Sequence, residues 1–123
     1  MIIKESGENY LETIHMLNKK HGHVRSIDIA TELSVTKPSV SVAMKKLREE
    51  GFIVIDSSGS ITLTEKGLSI AETMYERHRI IAKALMAMGV SEDTAYEDSC
   101  KIEHHISEES FEKLKEYLMA KGF

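Results

Sequence analysis

Apolar residues in the first fifty positions recur every three or four residues, which is the spacing of one face of a helix. The first such segment predicts a helix over residues 5–20, which ends at residues 21–23. A second, shorter helix is expected to run through Leu33, with Ser26 as its N-cap. The inward-facing positions of these two helices are predicted to be Leu11, Ile14, Leu17, Ile27, Ala30 and Leu33.

A third helix is predicted shortly after the second. Thr36 is a suitable N-cap, and Pro38 lies in the first turn, where its missing N–H costs little. Gly51 marks the end of this helix. Two short helices joined by a tight turn, of which the second is basic, are typical of the helix-turn-helix motif. The buried side of the third helix is predicted to be Val40, Met44 and Leu47.

A β-hairpin is predicted directly after the third helix. Residues 52–55 form an apolar, β-branched run, residues 57–60 are typical of a turn, and residues 61–64 alternate as a partly exposed strand would. A hairpin in this place makes the module a winged helix-turn-helix. We therefore predict that residues 1–66 form a DNA-binding domain of this type.

The second half of the chain predicts three further helices. A long helix runs from residue 65 to residue 88 and ends at Gly89, and Ser91 and Ser107 each open a shorter one. Residues 67–123 thus form a helical domain, and the fold class is mainly α. The last two helices cannot bury their apolar faces in so small a unit, so we expect a homodimer, which suits a palindromic DNA operator. The apolar stripe of the long helix is predicted to be Ile70, Met74, Ile81, Leu85 and Met88.

Composition and charge narrow the class of protein. The 123 residues carry 16 Lys and Arg against 20 Asp and Glu, which gives a net charge of −4. The first 67 residues are balanced at nine of each sign, so the acidic excess lies in the second half and does not exclude a nucleic-acid partner. No segment resembles a membrane span or a signal peptide, and a single cysteine excludes an intramolecular disulfide. We expect a cytoplasmic protein with no membrane partner.

The third helix concentrates the positive charge of the first half. Residues 36–48 contain four basic side chains and no acidic one. The start of a recognition helix reaches base edges, whereas lysines further along it and the wing turn at residues 57–60 are better placed for phosphates. The predicted DNA-binding residues are Arg25, Thr36, Lys37, Pro38, Ser39, Ser41, Lys45 and Lys46.

The densest group of potential metal ligands lies at residues 97–105, which contain one thiol, three carboxylates and two imidazoles. On a helix, Cys100, Glu103 and His104 share one face, whereas His105 is turned away from it. Sulfur, oxygen and nitrogen donors together suit a first-row divalent metal and are too soft a set for Ca²⁺ or Mg²⁺. The alternative interpretation is a solvated helix face with a half-buried cysteine.

Three residues elsewhere have two interpretations each. His78 falls within the apolar stripe of the long helix, where it is either a core histidine or a metal ligand. Asn9 and Glu12 share one face of the first helix, where acidic side chains also favour the N-terminal end of the helix dipole.

In this order the motifs resemble those of the diphtheria toxin repressor family of metal-dependent transcriptional regulators, and most closely its short manganese transport regulator branch. The resemblance covers nearly the whole chain, and it implies a homodimeric, metal-activated DNA-binding repressor that controls metal homeostasis. It also implies that the C-terminal SH3-like domain of longer members is absent. The motifs that carry it are Glu-Asn-Tyr-Leu-Glu-Thr-Ile at 8–14, Asp-Ile-Ala at 28–30 through Val-Ser at 40–41, Leu-Thr-Glu-Lys-Gly at 63–67, Arg-His-Arg at 77–79 and Cys-Lys-Ile-Glu-His-His at 100–105.

The resemblance also implies a set of metal ligands. Cys100 stands where the manganese branch has a glutamate and the iron branch a cysteine, and Asn9 stands where those branches have aspartate and methionine. Ala82 and Tyr96 stand at positions where the iron branch has ancillary ligands, which argues against a second metal of that kind. The implied ion is Fe²⁺ or Mn²⁺, and Co²⁺, Ni²⁺, Zn²⁺ or Cd²⁺ can replace it in vitro. The implied ligand set is Asn9, Glu12, His78, Cys100, Glu103 and His104.

Two other functions fit parts of the pattern. One is a metal-independent winged-helix regulator that responds to a small organic ligand or to oxidation of Cys100. The other is an enzyme that uses Cys100 as nucleophile and His104 as base. Because the sequence shows no third orienting group, no oxyanion site and no cofactor motif, we predict no enzymatic activity.

Overall fold

The computed structural model describes residues 5–122. Within this range the chain forms six helices and one two-stranded sheet, and none of the helices is long and apolar enough to cross a membrane. The chain divides into two compact units, one up to Glu72 and one from Thr73 onward, so the division falls within the long helix Glu65–Ala87. The mainly helical fold class is confirmed, and the predicted domain boundary after residue 66 stays a prediction. The elements are α1 Glu5–His21, α2 Ser26–Leu33, α3 Lys37–Glu49, β1 Ile53–Ile55, β2 Ile61–Leu63, α4 Glu65–Ala87, α5 Glu92–Ile102 and α6 Glu108–Ala120.

The first unit is built around one apolar core. The predicted inward faces of α1 and α3 are buried, and the residues of the hairpin and of the segment before α2 pack with them. Burial of side chains of this size typically stabilises a fold by about 1.5–3 kcal/mol each, which makes this core the main support of the unit. Its buried residues include Leu11, Ile14, Leu17, Val24, Ile29, Val40, Met44, Leu47, Phe52, Ile53 and Ile61.

The second helix differs from the prediction in two details. Ser26 is the first residue of α2, so its predicted role as N-cap is wrong. Arg25 occupies the N-cap position, and its backbone N–H donates to Asp28 Oδ2 at 2.9 Å. The predicted inward position Ile27 is also wrong, because its side chain is 50% exposed while Ile29 is fully buried. Both isoleucines fit a helical stripe, and only the packing of the core distinguishes them.

The turn between α2 and α3 has the geometry that a helix-turn-helix requires. Ser34 closes α2 in the left-handed conformation with φ 54°, and its N–H donates to the carbonyl of Ala30. Thr36 caps α3 as predicted, because its Oγ1 accepts from the N–H of Ser39 at 3.3 Å. Pro38 lies in the first turn of α3, where the helix has no use for its missing N–H.

The wing is an antiparallel hairpin in which Ile53 pairs with Leu63 and Ile55 pairs with Ile61. The turn is stabilised by Asp56, whose Oδ1 accepts from the N–H and hydroxyl of Ser58 and from the N–H of Ser60. The hydroxyl of Ser58 is the main reason that the pKa of Asp56 lies below its usual value of 3.8.

Gly67 allows α4 to begin close to the hairpin. A Cβ at this position would lie 2.1 Å from the carbonyl oxygen of Phe52, so only a glycine fits without movement of the backbone. The hydroxyl of Thr64 holds the same corner, because it donates to Gly51 O at 2.7 Å and accepts from Gly67 N at 3.2 Å. Two positions of the Leu-Thr-Glu-Lys-Gly motif, Thr64 and Gly67, are thus explained by the packing of the first unit.

The second unit contains the rest of α4 together with α5 and α6. Ser91 and Ser107 are the N-caps of the last two helices, as predicted, although only Ser107 accepts a capping hydrogen bond through its side chain. Met88 was predicted to belong to the apolar stripe of α4, and this is wrong: α4 ends at Ala87, and Met88 is 74% exposed. The buried apolar residues of this unit include Met74, Ile81, Ala82, Ala84, Ala95, Phe111 and Leu118.

Candidate metal centre and nucleic-acid interface

Three of the predicted metal ligands converge within the second unit. His78 projects from α4, Cys100 lies on α5, and Glu103 follows the last residue of α5. One ligand atom of each lies within 4.8 Å of the others. The carboxylate of Glu103 is fully buried, and its Oε2 lies 2.9 Å from Nδ1 of the partly buried His78. Cys100 is exposed, so the group is open to solvent on the side of the thiol.

The backbone around Glu103 departs from the predicted helix. α5 ends at Ile102, Glu103 is its C-cap with φ −57° and ψ −28°, and His104 and His105 lie in the following turn. Cys100 and Glu103 still converge, as expected for residues three apart. The prediction that His104 shares one helical face with Cys100 and Glu103 is wrong, because His104 lies in the turn after α5.

Glu103 lies between two imidazoles. Its Oε2 faces His78, and its Oε1 lies 3.3 Å from Nε2 of His104, whose side chain is only 2% exposed. A buried carboxylate is costly unless positive charge or hydrogen-bond donors compensate it. A cation bound beside Glu103 would supply such a positive charge.

Arg77 supports the turn that carries Glu103 and His104. Its Nη1 donates to the backbone carbonyls of Glu103 at 3.1 Å and Ile106 at 2.9 Å, and its guanidinium lies 5.5 Å from the ring centroid of Phe111. These bonds join α4 to the end of α5. The sequence predicted no role for Arg77 in the site; its place beside His78 in the Arg-His-Arg motif was the available signal.

Ser99 orients the imidazole of His78. The hydroxyl of Ser99 donates to Tyr96 O at 3.0 Å and lies 3.1 Å from His78 Nδ1. Because its one proton is directed to Tyr96, the hydroxyl accepts from His78, and Oε2 of Glu103 accepts from the same nitrogen. As long as no ion is bound, both contacts favour the proton on Nδ1. The sequence reasoning missed Ser99, whose residue type alone carries no such signal.

The donor set fits a first-row divalent ion. Thiolate, imidazole and carboxylate are the donors that such metals accept together. Donors bound at about 2.0–2.3 Å from one ion lie up to about 4.6 Å apart, which is compatible with three donors that lie within 4.8 Å of one another. The other predicted ligands, Asn9 and Glu12, lie on α1 in the first unit, where Asn9 is partly buried and Glu12 is buried. The role of all six predicted residues as ligands stays a prediction.

The predicted DNA-binding residues form an exposed surface on the first unit. Lys37, Pro38, Ser39, Ser41, Lys45 and Lys46 on α3, with Thr36 at its N-cap, are all exposed. Arg25 is exposed at the start of α2. The hydroxyl of Thr36 donates to Ser39 Oγ at 2.7 Å, so these two polar groups are held together at the start of the recognition helix. Whether each residue contacts DNA stays a prediction.

A winged helix-turn-helix and a helical unit with converging thiol, imidazole and carboxylate donors together define the class of metal-responsive DNA-binding regulators. Residues 3–59 match the family model described as the N-terminal DNA-binding domain of iron-dependent repressors. Residues 64–120 match the model for the metal-binding and dimerisation domain of the same proteins. The chain belongs to the iron-dependent repressor family.

Known relatives agree with this assignment. The chain is 35% identical to the HTH-type transcriptional regulator MntR of Lysinibacillus sphaericus over 109 residues, which cover 89% of this chain and 78% of that protein. It is 32% identical to the transcriptional regulator MntR of Escherichia coli O6:H1 over 119 residues, which cover 97% of this chain and 77% of the relative. The predicted resemblance to the manganese transport regulator branch is thus confirmed.

Solved structures show the same fold. The manganese regulator SloR matches with a TM-score of 0.81 and 31% identity, over 96% of this chain and 54% of SloR. A manganese-dependent transcriptional repressor in complex with manganese matches with a TM-score of 0.83 and 25% identity, over 91% of this chain and 52% of that one. The chain thus spans about half the length of these two solved proteins. Its family makes it a metal-dependent DNA-binding transcriptional repressor.

Proposed function

We propose that this chain represses genes of metal homeostasis and binds its operator DNA when Fe²⁺ or Mn²⁺ occupies the group formed by His78, Cys100 and Glu103. The observation that carries the proposal is the convergence of these three donors within 4.8 Å of one another, from α4, from α5 and from the C-cap of α5. Manganese appears in the names of several relatives, and the thiol of Cys100 favours iron over manganese by its softness.

The side chains of this unit have separate roles in the proposal. His78 would hold the ion through its imidazole, Cys100 through its thiolate and Glu103 through its carboxylate, and the bound ion would supply the positive charge that joins α4 to the end of α5. Arg77 keeps the turn after α5 in place through two backbone carbonyls. Ser99 fixes the orientation of the imidazole through Nδ1.

The proposed ligand set extends by resemblance to Asn9, Glu12 and His104. Ligands from α1 would make metal binding depend on the DNA-binding module, and the two binding events would then be linked. By linkage, DNA tightens metal binding by the same factor by which metal tightens DNA binding, typically about 5- to 150-fold. A Glu12→Ala variant that binds metal and DNA like the wild type would remove Glu12 from the ligand set.

The proposed DNA partner is a palindromic operator that is bound by a homodimer in the cytoplasm. The match of residues 64–120 to a dimerisation domain supports the dimer, and two-fold symmetry of the protein implies two half-sites in the DNA. The start of α3 would reach the bases, and Lys45, Lys46 and Arg25 would contact phosphates. Because its relatives are transcriptional regulators, we propose no enzymatic activity for this chain.

Fluorescence anisotropy tests the proposed switch. A labelled duplex, selected from a random pool by the full chain with Mn²⁺, is titrated with protein in EDTA, in Mn²⁺ and, under anaerobic conditions, in Fe²⁺. We expect metal to tighten DNA binding by at least about fivefold. Equal affinity in EDTA and in metal would refute the switch and favour a regulator that responds to another signal.

A pair of variants assigns the effect to the proposed site. In the double variant Cys100→Ala and Glu103→Ala, added metal should no longer tighten DNA binding. His105→Ala is the matched control, because this exposed histidine lies two residues from Glu103 and outside the group of three donors. A double variant that still responds to Mn²⁺ would place the activating ion elsewhere in the chain.

A further inference from the structure

We infer that Val42 is a specificity-determining residue of the recognition helix and that it reads the C5 methyl groups of thymines in the major groove. The inference rests on the proposed function, since it concerns the DNA sequence that the repressor selects. The feature that carries it is an exposed apolar side chain at the centre of the basic, outward face of α3.

The position of Val42 follows from the buried face of the same helix. Val40, Met44 and Leu47 are almost fully buried and define the inward side of α3. Each residue of a helix is turned by about 100° from the one before, so Val42 lies about 200° from Val40 and points away from the core. Its side chain is accordingly 71% exposed.

The neighbours of Val42 indicate what it faces. On the outward side of α3 it is preceded by Pro38 and followed by Lys45 and Lys46, all of which are exposed. No acidic residue occurs between positions 36 and 48, so this part of the helix attracts a polyanion. Single exposed apolar residues are common on proteins, but this one lies where a helix in the major groove meets the base pairs.

The chemistry of valine restricts what it can recognise there. Its side chain has no hydrogen-bond donor or acceptor and therefore cannot read the polar pattern of a base edge. The apolar group that base pairs present in the major groove is the methyl of thymine, which small apolar side chains contact. Burial of one methyl is worth about fourfold in an equilibrium constant, so the expected preference is modest at each thymine.

A contact with DNA would also explain why a valine, which is a poor helix former, occupies position 42. A β-branched residue is a weaker helix former than Ala, Lys or Glu, because the preceding turn restricts its χ1. At an exposed helix position, packing gives no compensation for that cost. A contact with DNA supplies the missing reason for a valine in this place.

The test compares thymine with deoxyuridine, which differs only in the missing methyl. Each thymine of the duplex selected from a random pool by the full chain with Mn²⁺ is replaced in turn, and dissociation constants are measured by anisotropy in Mn²⁺. We expect wild type to lose about fourfold in affinity at one or two positions in each half-site. Val42→Ala removes the contact from both subunits, so it should bind the unmodified duplex about 16-fold more weakly, or about fourfold per half-site, and should show no further loss at those positions.

Two controls separate this contact from general effects. Val54→Ala makes the same change in a valine that is 56% exposed on β1, outside the recognition helix, and it should keep the full discrimination between thymine and deoxyuridine. Val42→Ile keeps an apolar side chain and should keep the discrimination too.

The outcomes distinguish the inference from the proposed function. If metal tightens DNA binding but wild type does not distinguish thymine from deoxyuridine anywhere, the inference fails and the proposed function stands. Discrimination that persists unchanged in Val42→Ala would likewise overturn the inference. If DNA binding itself does not respond to metal, the proposed switch fails, while the comparison of the two bases still decides the role of Val42.

Discussion

The two units present their functional side chains in different ways. On α3 the side chains predicted to bind DNA are exposed, and the bond between Thr36 and Ser39 is made within a single turn. In the second unit, Ser99 and Glu103 are fully buried, and the bonds of Arg77 and His78 join residues 21 to 29 positions apart. A long polymer needs an open surface, whereas a small ion needs donors whose positions are already held. Substitutions in the second unit should therefore have the larger effects.

Removal of the buried carboxylate should have the largest effect. Glu103→Gln keeps the size of the side chain but removes its charge and its strongest donor atoms, so we expect metal affinity to fall by at least about 100-fold. Isothermal titration with Mn²⁺ and Co²⁺ measures the loss, and circular dichroism checks that the helices remain. His105→Ala should bind metal like the wild type. Affinity within about threefold of wild type in Glu103→Gln would contradict a ligand role for Glu103.

Substitution of Arg77 should lower the metal affinity of the same site by a smaller factor. Arg77→Gln loses the two bonds to the carbonyls of Glu103 and Ile106, so the turn that positions Glu103 and His104 becomes less well defined. Residues that orient ligands typically contribute about 10- to 100-fold to metal affinity, and we expect the lower end of that range. Arg79→Gln, at the exposed arginine two residues later, is the control. Equal metal affinities for both variants would show that the turn does not need Arg77.

Removal of one lysine from the predicted DNA-binding surface should have a smaller effect, on the affinity for DNA. Lys45→Ala is expected to weaken binding to all duplexes about equally and to lower the slope of log affinity against log salt by about one unit per lost phosphate contact, hence by about two units for a dimer that loses one contact in each subunit. The measurement is anisotropy over a series of salt concentrations with the selected duplex and an unrelated one. Lys20→Ala, an exposed lysine on α1, should leave the slope unchanged. A change confined to the selected duplex would instead assign Lys45 to base recognition.

The smallest expected effect is the response of the wing turn to acid. Hydrogen bonds from Ser58 and Ser60 lower the pKa of Asp56, so they favour its charged form in the folded protein. The stabilisation is present above the usual pKa and is lost as pH falls through the lowered one. The amide signals of Ser58 and Ser60 in NMR spectra should therefore shift below about pH 4 in the wild type. In Asp56→Asn these shifts should disappear; identical titrations in both proteins would contradict the role of Asp56.

The sequence predicted local features well and long-range ones poorly. The inward face of α3 and the caps at Thr36 and Ser107 follow from patterns within one or two turns. The prediction that Ile27 faces the core failed because Ile27 and Ile29 are the same residue type two positions apart. Only the packing of the folded core determines which of them is buried. The place of Ser99 in the site could not be predicted from the sequence, and the only signal for Arg77 was its position beside His78, because the partners of both are brought close by folding rather than by helical spacing.

The close contact at Gly67 has a consequence for inherited variation in this repressor. A codon change to any other amino acid would force its first side-chain carbon against the carbonyl of Phe52. Cells that carry such a change would contain less folded repressor, and their target genes would stay active at every metal concentration. Raising the expression of the variant would partly restore repression, whereas feeding the cells more metal would not. A genetic screen that compares these two treatments would thus separate architectural positions from ligand positions.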